Sequence, residues 1–382
     1  MTTTTDRPPT GPGATTPATS GPPSADAAPG LTGVQRLTFA KAITLGLRRA
    51  MLDDPRVLVM GEDVGRLGGV FRVTDGLQGE FGEDRVVDTP LAESGIVGTA
   101  IGLALRGYRP VCEIQFDGFV FPAFDQITTQ LAKMHYRSRG RLTVPVVIRI
   151  PYGGGIGAVE HHSESPEVLF AHTAGLRVVT PSDPAQAYTM IQAAIASPDP
   201  VLFFEPKGRY WDKGDVDLGP ALPSSGAHAE HGQAGPRDDE ARPAGASGAL
   251  DTARVVRVGT DLTLVAYGPT VATALKVAEA AAAEGTSIEV VDLRTLSPLD
   301  TPTVAASVRR TGRCVVVHEA PVLYGSGAEV AARITEECFY HLQAPVLRVG
   351  GFHAPYPVAK LEHEYLPGVD RVLDAVDRAM GY

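Results

Sequence analysis

The sequence contains few of the residues that mark several classes of protein. Its three cysteines, Cys112, Cys314 and Cys338, are far apart along 382 residues and odd in number. A disulfide framework or a zinc site needs regularly spaced cysteines, so we expect neither, and we expect a reduced, cytoplasmic protein. No apolar run approaches the length that crosses a bilayer, so we expect no membrane partner.

An excess of basic charge is also missing. Lysine and arginine number 34 against 44 acidic residues, and the formal net charge is −10. We therefore do not expect nucleic-acid binding. The N-terminus lacks the basic start and apolar core of a secretory signal. We interpret residues 1–33 as a disordered tail, because their Thr, Pro, Ala and Gly offer too little apolar surface to offset the entropy of ordering.

Two phosphate-binding motifs are absent as well. The glycine cluster at 153–157 follows a strand, but no helix opens after it and no acidic residue is placed for a ribose, so it does not match a Walker or dinucleotide loop. The chain also lacks the Gly-Asp-Gly stretch, followed about a helix later by paired Asn, that holds Mg²⁺ and a diphosphate in thiamine enzymes.

What is present is a regular alternation of short apolar strands and helices, which predicts parallel sheets covered by helices on both faces. The first half predicts strands at 57–60, 86–87, 109–114, 146–149, 177–180 and 201–204, and helices at 39–53, 95–105, 123–136 and 184–196. The second half predicts strands at 262–266, 287–292, 314–318 and 346–349, and helices at 271–283, 301–310 and 327–337. We expect α/β domains at 34–216 and 251–382, with a flexible linker or insertion at 217–250.

A carboxylate stands at the start of one small-residue helix. Pro90 restricts Thr89 to extended geometry, so the preceding strand should end there. Glu93 then lies in the first turn of the helix at 95–105, whose glycines allow its backbone to pack closely against a neighbour. A buried carboxylate there needs a partner. Taken alone, a glutamate at a helix start merely favours the positive end of the helix dipole, and that alternative stays open.

Several motifs occur in an order typical of one family. They are GEDV at 61–64, GVF at 69–71, DTPLAE at 88–93, EIQF at 113–116, PAFDQ at 122–126 and HSESPE at 162–167. From about Leu37 to the C-terminus the chain resembles the β subunit of the thiamine-diphosphate-dependent decarboxylase component of 2-oxo acid dehydrogenase complexes. FFEPK at 203–207, HEAP at 318–321 and EECF at 336–339 resemble the branched-chain members more than the pyruvate type.

The resemblance implies a fold and an activity. The fold would be a transketolase-like pyrimidine-binding α/β domain followed by a transketolase C-terminal-like α/β domain. The activity would be oxidative decarboxylation of branched-chain 2-oxo acids, as in a 3-methyl-2-oxobutanoate dehydrogenase, with acyl transfer to the lipoyl domain of a dihydrolipoyl acyltransferase core. Two alternatives stay open: a pyruvate or acetoin dehydrogenase β subunit, and a mainly scaffolding subunit that docks the acyltransferase core.

The resemblance also implies a cofactor that is shared between chains. Thiamine diphosphate would lie between this chain and an α subunit in an α₂β₂ heterotetramer, and the α subunit would hold Mg²⁺. A potassium ion would be held by backbone carbonyls in two segments. The candidate carbonyls are those of Val144, Val146, Val147, Ala194 and Asp199.

Four side chains carry the implied chemistry. Glu93 would hydrogen-bond the pyrimidine ring of the cofactor and activate it. Phe119, where relatives often carry Tyr, would lie beside that ring, although taken alone it is an ordinary core aromatic. Gln115 would lie near the cofactor. His162 would guide the substrate carboxylate or transfer protons, and its match within 162–167 favours it over the adjacent His161.

Overall fold

The computed structural model describes residues 31–219 and 250–382. Most of the predicted tail and of the predicted linker lies outside these described residues, so both domain boundaries remain predictions. Packing extends into the described part of both segments, since Leu31, Leu218 and Leu250 are buried. The carbonyl of Leu31 accepts a 2.9 Å hydrogen bond from the buried Arg49.

Strands and helices alternate along the described chain. The strands are β1 (Val34–Thr38), β2 (Val57–Gly61), β3 (Val86–Asp88), β4 (Arg109–Glu113), β5 (Val147–Tyr152), β6 (Arg177–Val179), β7 (Val201–Pro206), β8 (Lys213–Asp217), β9 (Arg254–Arg257), β10 (Leu262–Ala266), β11 (Ile288–Asp292), β12 (Thr295–Ser297), β13 (Cys314–Pro321) and β14 (Leu347–Gly351). The helices are α1 (Phe39–Asp53), α2 (Leu77–Phe81), α3 (Glu93–Leu105), α4 (Ala132–Arg137), α5 (Glu167–Ala171), α6 (Pro184–Ala196), α7 (Thr270–Ala283), α8 (Thr301–Thr311), α9 (Ser326–Cys338), α10 (Glu362–Tyr365) and α11 (Val369–Met380).

The first sheet has the strand order β12-β6-β7-β5-β4-β2-β3. Its strands are parallel except for β12, which runs antiparallel to β6. Successive residues of β2 point to opposite faces, as the pleat requires. Val57 and Val59 join the apolar cluster under α1 and α6, whereas Leu58 and Met60 join the cluster that contains α3. This confirms the prediction of a mostly parallel sheet covered on both faces.

The second sheet has the order β14-β13-β10-β11-β9, and only the edge strand β9 is antiparallel to its neighbour among the described strands. Helices α7 and α11 cover one face. Helices α8 and α9 cover the other, and their apolar side chains belong to the same buried cluster as residues of the first sheet. One apolar core therefore connects the two sheets. No helix within 31–219 or 250–382 is long and apolar enough to cross a membrane.

The predicted helix at 123–136 is present as a continuous helix at 124–137, but it is not α-helical throughout. It follows a 3₁₀ turn at Asp117–Ala123 and contains a π-helical stretch at Gln126–Leu131 before α4. The hydroxyls of Thr128 and Thr129 donate to the carbonyls of Phe124 and Asp125, four residues earlier, at 2.8 and 2.7 Å. Such side-chain donors compete with the helical backbone bonds, and irregular turns of this kind are common at functional sites.

Candidate active site

The predicted catalytic and cofactor-binding residues gather at the carboxyl edge of the first sheet, where ligands bind in open α/β sheets. Glu62 follows β2, and Glu93 follows β3 at the first position of α3. Gln115 follows β4, and His162 lies in the loop after β5. Since these four strands are adjacent and parallel, their loops are neighbours in space.

Glu93 is a nearly buried carboxylate, with 8 % of its surface exposed. It forms no hydrogen bond or ion pair with any residue in the described part of the chain. Glu62 is equally buried, and its Oε1 has no partner among the described residues. Burial raises the pKa of Glu62, and the negative charge of Glu93 raises that pKa further. The edge therefore holds two neighbouring acids, of which Glu62 has a buried oxygen without a partner among the described residues and Glu93 makes no side-chain hydrogen bond to them. A donor from outside the chain would be stabilised there.

The glycines of α3 do not pack against another described segment. Gly98 and Gly102 are exposed, and a Cβ at either position would meet no described atom within 4 Å. The buried face of the helix is formed instead by residues such as Ile96, Val97 and Ala100. The glycine face of the helix that begins at Glu93 is thus open in the described part of this chain.

Phe119 and Gln115 both lie in the segment that follows β4 at this edge. Phe119 is half-buried rather than enclosed in the core, and its ring meets Phe116 and His162 edge-on at centroid distances of 5.9 and 5.1 Å. The Nε2 of Gln115 donates to the carbonyl of Glu62 at 3.5 Å. The structure therefore brings the predicted aromatic and the predicted amide to one edge together with the acids.

His162, and not His161, packs against the aromatic residues of the site. Its ring stacks on that of Phe116 with centroids 3.9 Å apart and 23° between the planes. His161 is exposed, and its ring lies 6.3 Å from that of Phe119. Partial burial lowers the pKa of His162, the hydrogen bond to the His161 carbonyl raises it, and the charges of His161 and Lys207 lower it, with a net lowering. The His162 imidazole is therefore mainly neutral near pH 7 and can accept a proton.

A buried charge network lies below these loops. Arg149 of β5 bonds Glu113 of β4 at 2.5 Å and Glu205 of β7 at 2.6 Å, and Tyr210 donates to Glu205 at 2.6 Å. The side chains of Arg149 and Glu205 are completely buried. This network ties the carboxyl ends of three adjacent strands together and fixes the loops that they carry.

The predicted potassium ligands lie elsewhere. Val144 and Val146 precede β5, and Asp199 precedes β7, which puts them at the opposite edge of the sheet from Glu93. The carbonyl of Val146 accepts from Val201 at 2.9 Å, and that of Asp199 accepts from the Ser197 hydroxyl at 3.1 Å. The other two candidates, Val147 and Ala194, are buried in β5 and α6. In the part of the chain that is described, no cluster of three His, Cys, Asp or Glu side chains fits a metal ion.

Comparison with known proteins agrees with this geometry. Residues 35–212 match the transketolase pyrimidine-binding domain, and residues 251–372 match the transketolase C-terminal domain. One solved structure, titled "Split gene transketolase, inactive beta4 tetramer", covers 90 % of this chain and 98 % of its own with a TM-score of 0.66. Its sequence identity is 23 %, so it supports the fold alone.

Three curated relatives cover nearly the whole chain. The pyruvate dehydrogenase E1 component subunit beta of Leifsonia xyli is 60 % identical over 350 residues, 91 % of this chain and 96 % of its own. The 3-methyl-2-oxobutanoate dehydrogenase subunit beta of Mycobacterium tuberculosis is 54 % identical over 91 % and 92 %. The 2-oxoisovalerate dehydrogenase subunit beta of Pseudomonas aeruginosa is 43 % identical over 91 % and 96 %.

The fold and the acidic edge of its first sheet define a transketolase-like α/β protein with a pyrimidine-binding domain. Within that class, the chain belongs to the β subunits of the E1 component of 2-oxo acid dehydrogenase complexes. Both the predicted family and the predicted fold class are confirmed.

Sequence reasoning did not assign every residue of this edge. Glu62 and Phe116 lie in the quoted motifs GEDV and EIQF, but the spacing of the motifs gave them no role. Asp117 and Lys207 were also without a role, because they meet only in the folded chain, 90 positions apart in sequence. Lys207 ends the quoted stretch FFEPK, but nothing in that stretch indicates a contact with Asp117.

Proposed function

We propose that this chain contributes the activating acid and the substrate-end histidine of a thiamine-diphosphate-dependent decarboxylase. The substrates would be branched-chain 2-oxo acids, with 3-methyl-2-oxobutanoate preferred, and the acyl group would pass to the lipoyl domain of a dihydrolipoyl acyltransferase. The observation that carries this proposal is the buried carboxylate of Glu93, which has no partner among the described residues at the carboxyl edge of the sheet.

The residues present fit the pyrimidine half of the cofactor. A buried carboxyl group without a partner fits a ring nitrogen that exchanges a proton with it, and Glu93 would hold that nitrogen. Phe119 would present its ring to the pyrimidine, and Gln115 would orient the neighbouring loop through the Glu62 carbonyl. When bound, thiamine diphosphate supplies an electron sink for the charge left on the acyl carbon after decarboxylation.

His162 would act at the substrate end. Its Nδ1 lies 3.0 Å from the carbonyl of His161, so Nδ1 carries the proton in the neutral ring and Nε2 carries the lone pair. Stacking on Phe116 fixes the plane of the ring. Nε2 can therefore accept a proton, and the resulting cation can attract a substrate carboxylate.

A partner chain would complete the site. This sequence lacks the motif for the diphosphate and Mg²⁺, so an α subunit would hold both in an α₂β₂ heterotetramer. The open glycine face of α3 supports this, because it belongs to the helix that begins at Glu93 and would let a second backbone approach closely. We further propose that carbonyls at 144–147 and 194–199 hold K⁺, at a distance from the catalytic edge.

The observations that bear on the substrate point to two different 2-oxo acids. The stretches at 203–207, 318–321 and 336–339 favour a branched-chain substrate, whereas the 60 % identical relative is named for pyruvate.

The test is to reconstitute the complex with its α subunit, thiamine diphosphate and Mg²⁺, and to measure kcat/KM for both acids. We expect a higher kcat/KM for 3-methyl-2-oxobutanoate, and a preference for pyruvate would contradict the branched-chain assignment. A complex that assembles but decarboxylates neither acid would favour the scaffolding alternative.

A further inference from the structure

Asp117 and Lys207 form a buried ion pair at the carboxyl edge of the first sheet. Lys207 directly follows β7, and Asp117 opens the 3₁₀ turn after β4. Neither side chain is exposed to solvent. The Nζ of Lys207 contacts Oδ1 of Asp117, and Oδ2 accepts the backbone N–H of Glu164 at 3.0 Å. One carboxylate thus joins the loops that follow three different strands.

These loops carry the ring contacts of His162. Phe116 immediately precedes Asp117 and stacks on His162, which lies two positions before Glu164. The Nζ of Lys207 lies 5.9 Å from the centroid of the Phe116 ring. The two loops also touch through their backbones, because a Cβ at Gly118 would overlap the carbonyl oxygen of His161. The carboxylate of Asp117 therefore connects the loop of Phe116 to the loop of His162.

We propose that Asp117, held in place by Lys207, is a positioning residue that fixes the His162 imidazole against Phe116. The inference rests on the proposed role of His162 and adds to it the device that sets the orientation of its ring. The two oxygens of Asp117 hold different parts of the site, since Oδ1 anchors the carboxylate to β7 and Oδ2 anchors the loop of His162.

A role in stability alone explains this arrangement less well. Removing two charges from water is costly, and well-packed apolar side chains are often at least as stabilising as a buried ion pair. A buried acceptor aimed at one backbone N–H, beside a stacked imidazole, is instead the kind of support that keeps a functional side chain in one orientation.

The test compares two variants that both lack the charges. Asp117→Asn/Lys207→Met keeps an oxygen that can accept from Glu164, whereas Asp117→Ala/Lys207→Met does not. They differ only at position 117, and neither leaves an unpaired buried charge. Each would be assembled with the α subunit, thiamine diphosphate and Mg²⁺. The readouts are kcat and KM, and the rate at which diethyl pyrocarbonate modifies His162 relative to His161, measured by peptide mass spectrometry.

We expect the Asn variant to be the less affected of the two in both readouts, because it loses the anchor to Lys207 but keeps the acceptor for Glu164. In the Ala variant we expect His162 to be modified at least fivefold faster relative to His161, and kcat to fall about tenfold. Equal labelling of His162 in the two variants would overturn the positioning inference, whatever the activity. Faster labelling with unchanged kcat would support the positioning inference and contradict the catalytic role of His162.

A third variant covers the case in which the Ala variant does not assemble. Asp117→Glu keeps the charge opposite Lys207 but is one methylene longer, so it moves the oxygen that accepts from Glu164. The inference predicts faster labelling of His162 and a lower kcat in this variant. Labelling and kcat equal to those of the unmodified complex would overturn it.

Discussion

The hydroxyl of Tyr267 donates a 2.7 Å hydrogen bond to Oε1 of Glu167 across the junction between the two sheets. Tyr267 follows β10 of the second sheet, and Glu167 opens α5 in the first half of the chain. Glu167 is fully buried, and its Oε2 has no partner among the described residues. Burial raises the pKa of Glu167 to about 7. Burial at this junction therefore favours the protonated form of the Glu167 carboxyl group.

This relationship predicts how stability varies with pH. Because the folded pKa of Glu167 lies above its ordinary value, the folded protein binds more protons than the unfolded chain between about pH 4.5 and 7. The resulting stabilisation is complete below that range and is lost as the pH rises through 7. Its size for Glu167 is at most on the order of 3 kcal/mol. Burial also raises the pKa of Glu319 to about 7, so the titration of Glu319 likewise lowers the stability of the fold as the pH rises.

The Glu167→Gln variant isolates this contribution. Glutamine keeps an acceptor for Tyr267 but does not titrate, so we expect a flatter dependence of stability on pH. The measurement is denaturant unfolding of both proteins at intervals from pH 5 to 8. An unchanged slope in the variant would show that Glu167 titrates at its ordinary pKa in the folded protein.

A second prediction concerns the ion network of β4, β5 and β7. Replacing Arg149 with Met leaves Glu113 and Glu205 buried without their cation, so we expect a loss of about 3–5 kcal/mol in the free energy of unfolding. Arg36→Met is the matched control. Arg36 pairs with Asp215 at 3.7 Å with both side chains about two-thirds exposed, and such pairs contribute less than about 1 kcal/mol. Equal losses in the two variants would contradict the assignment of the network as a clamp on the strand ends.

A third prediction tests the open glycine face of α3. Gly98→Leu should leave the isolated chain at least as stable, because leucine favours a helix over glycine by up to about 1 kcal/mol. It should nevertheless reduce assembly with the α subunit at least tenfold, since the side chain would block close approach of a second backbone. Size-exclusion chromatography of the mixed subunits measures this. Gly79→Leu, at an exposed helical glycine that also has open space, is the control and should assemble normally.

Elements with strong local signals were predictable from the sequence. The helix predicted at 184–196 has those bounds in the structure, because Asp183 caps it and Pro184 suits its first turn. The strand predicted at 262–266 is β10, a continuous buried apolar run. Long-range elements were missed. Among the described strands, β1 and β8 pair only with each other, from opposite ends of the first half. Strand β12 belongs to the second half of the chain but pairs with β6 of the first sheet.

The glycine cluster at 153–157 shows why motifs alone give an incomplete site. It does not match a Walker or dinucleotide loop, yet its N–H groups bind anions in the structure. The anions are carboxylates of this same chain: Glu319 accepts from Gly154, and Glu362 accepts from Gly155 and Gly157, each at 3.0 Å. The acids come from the second half of the chain, so no local pattern could have predicted the pairing.

Replacing Glu93 at the carboxyl edge is expected to lower kcat more than any other single substitution proposed here. Glu93→Gln keeps the size of the side chain but removes the exchangeable acidic proton, and groups in this role typically contribute 10²- to 10⁴-fold to rate. We therefore expect the reconstituted complex to lose at least about 100-fold in kcat, at saturating thiamine diphosphate and with assembly unchanged. The most direct test of the account is this one measurement of kcat for the assembled Glu93→Gln complex. A loss of about 100-fold or more agrees with the account, whereas turnover within threefold of the unmodified complex would contradict it.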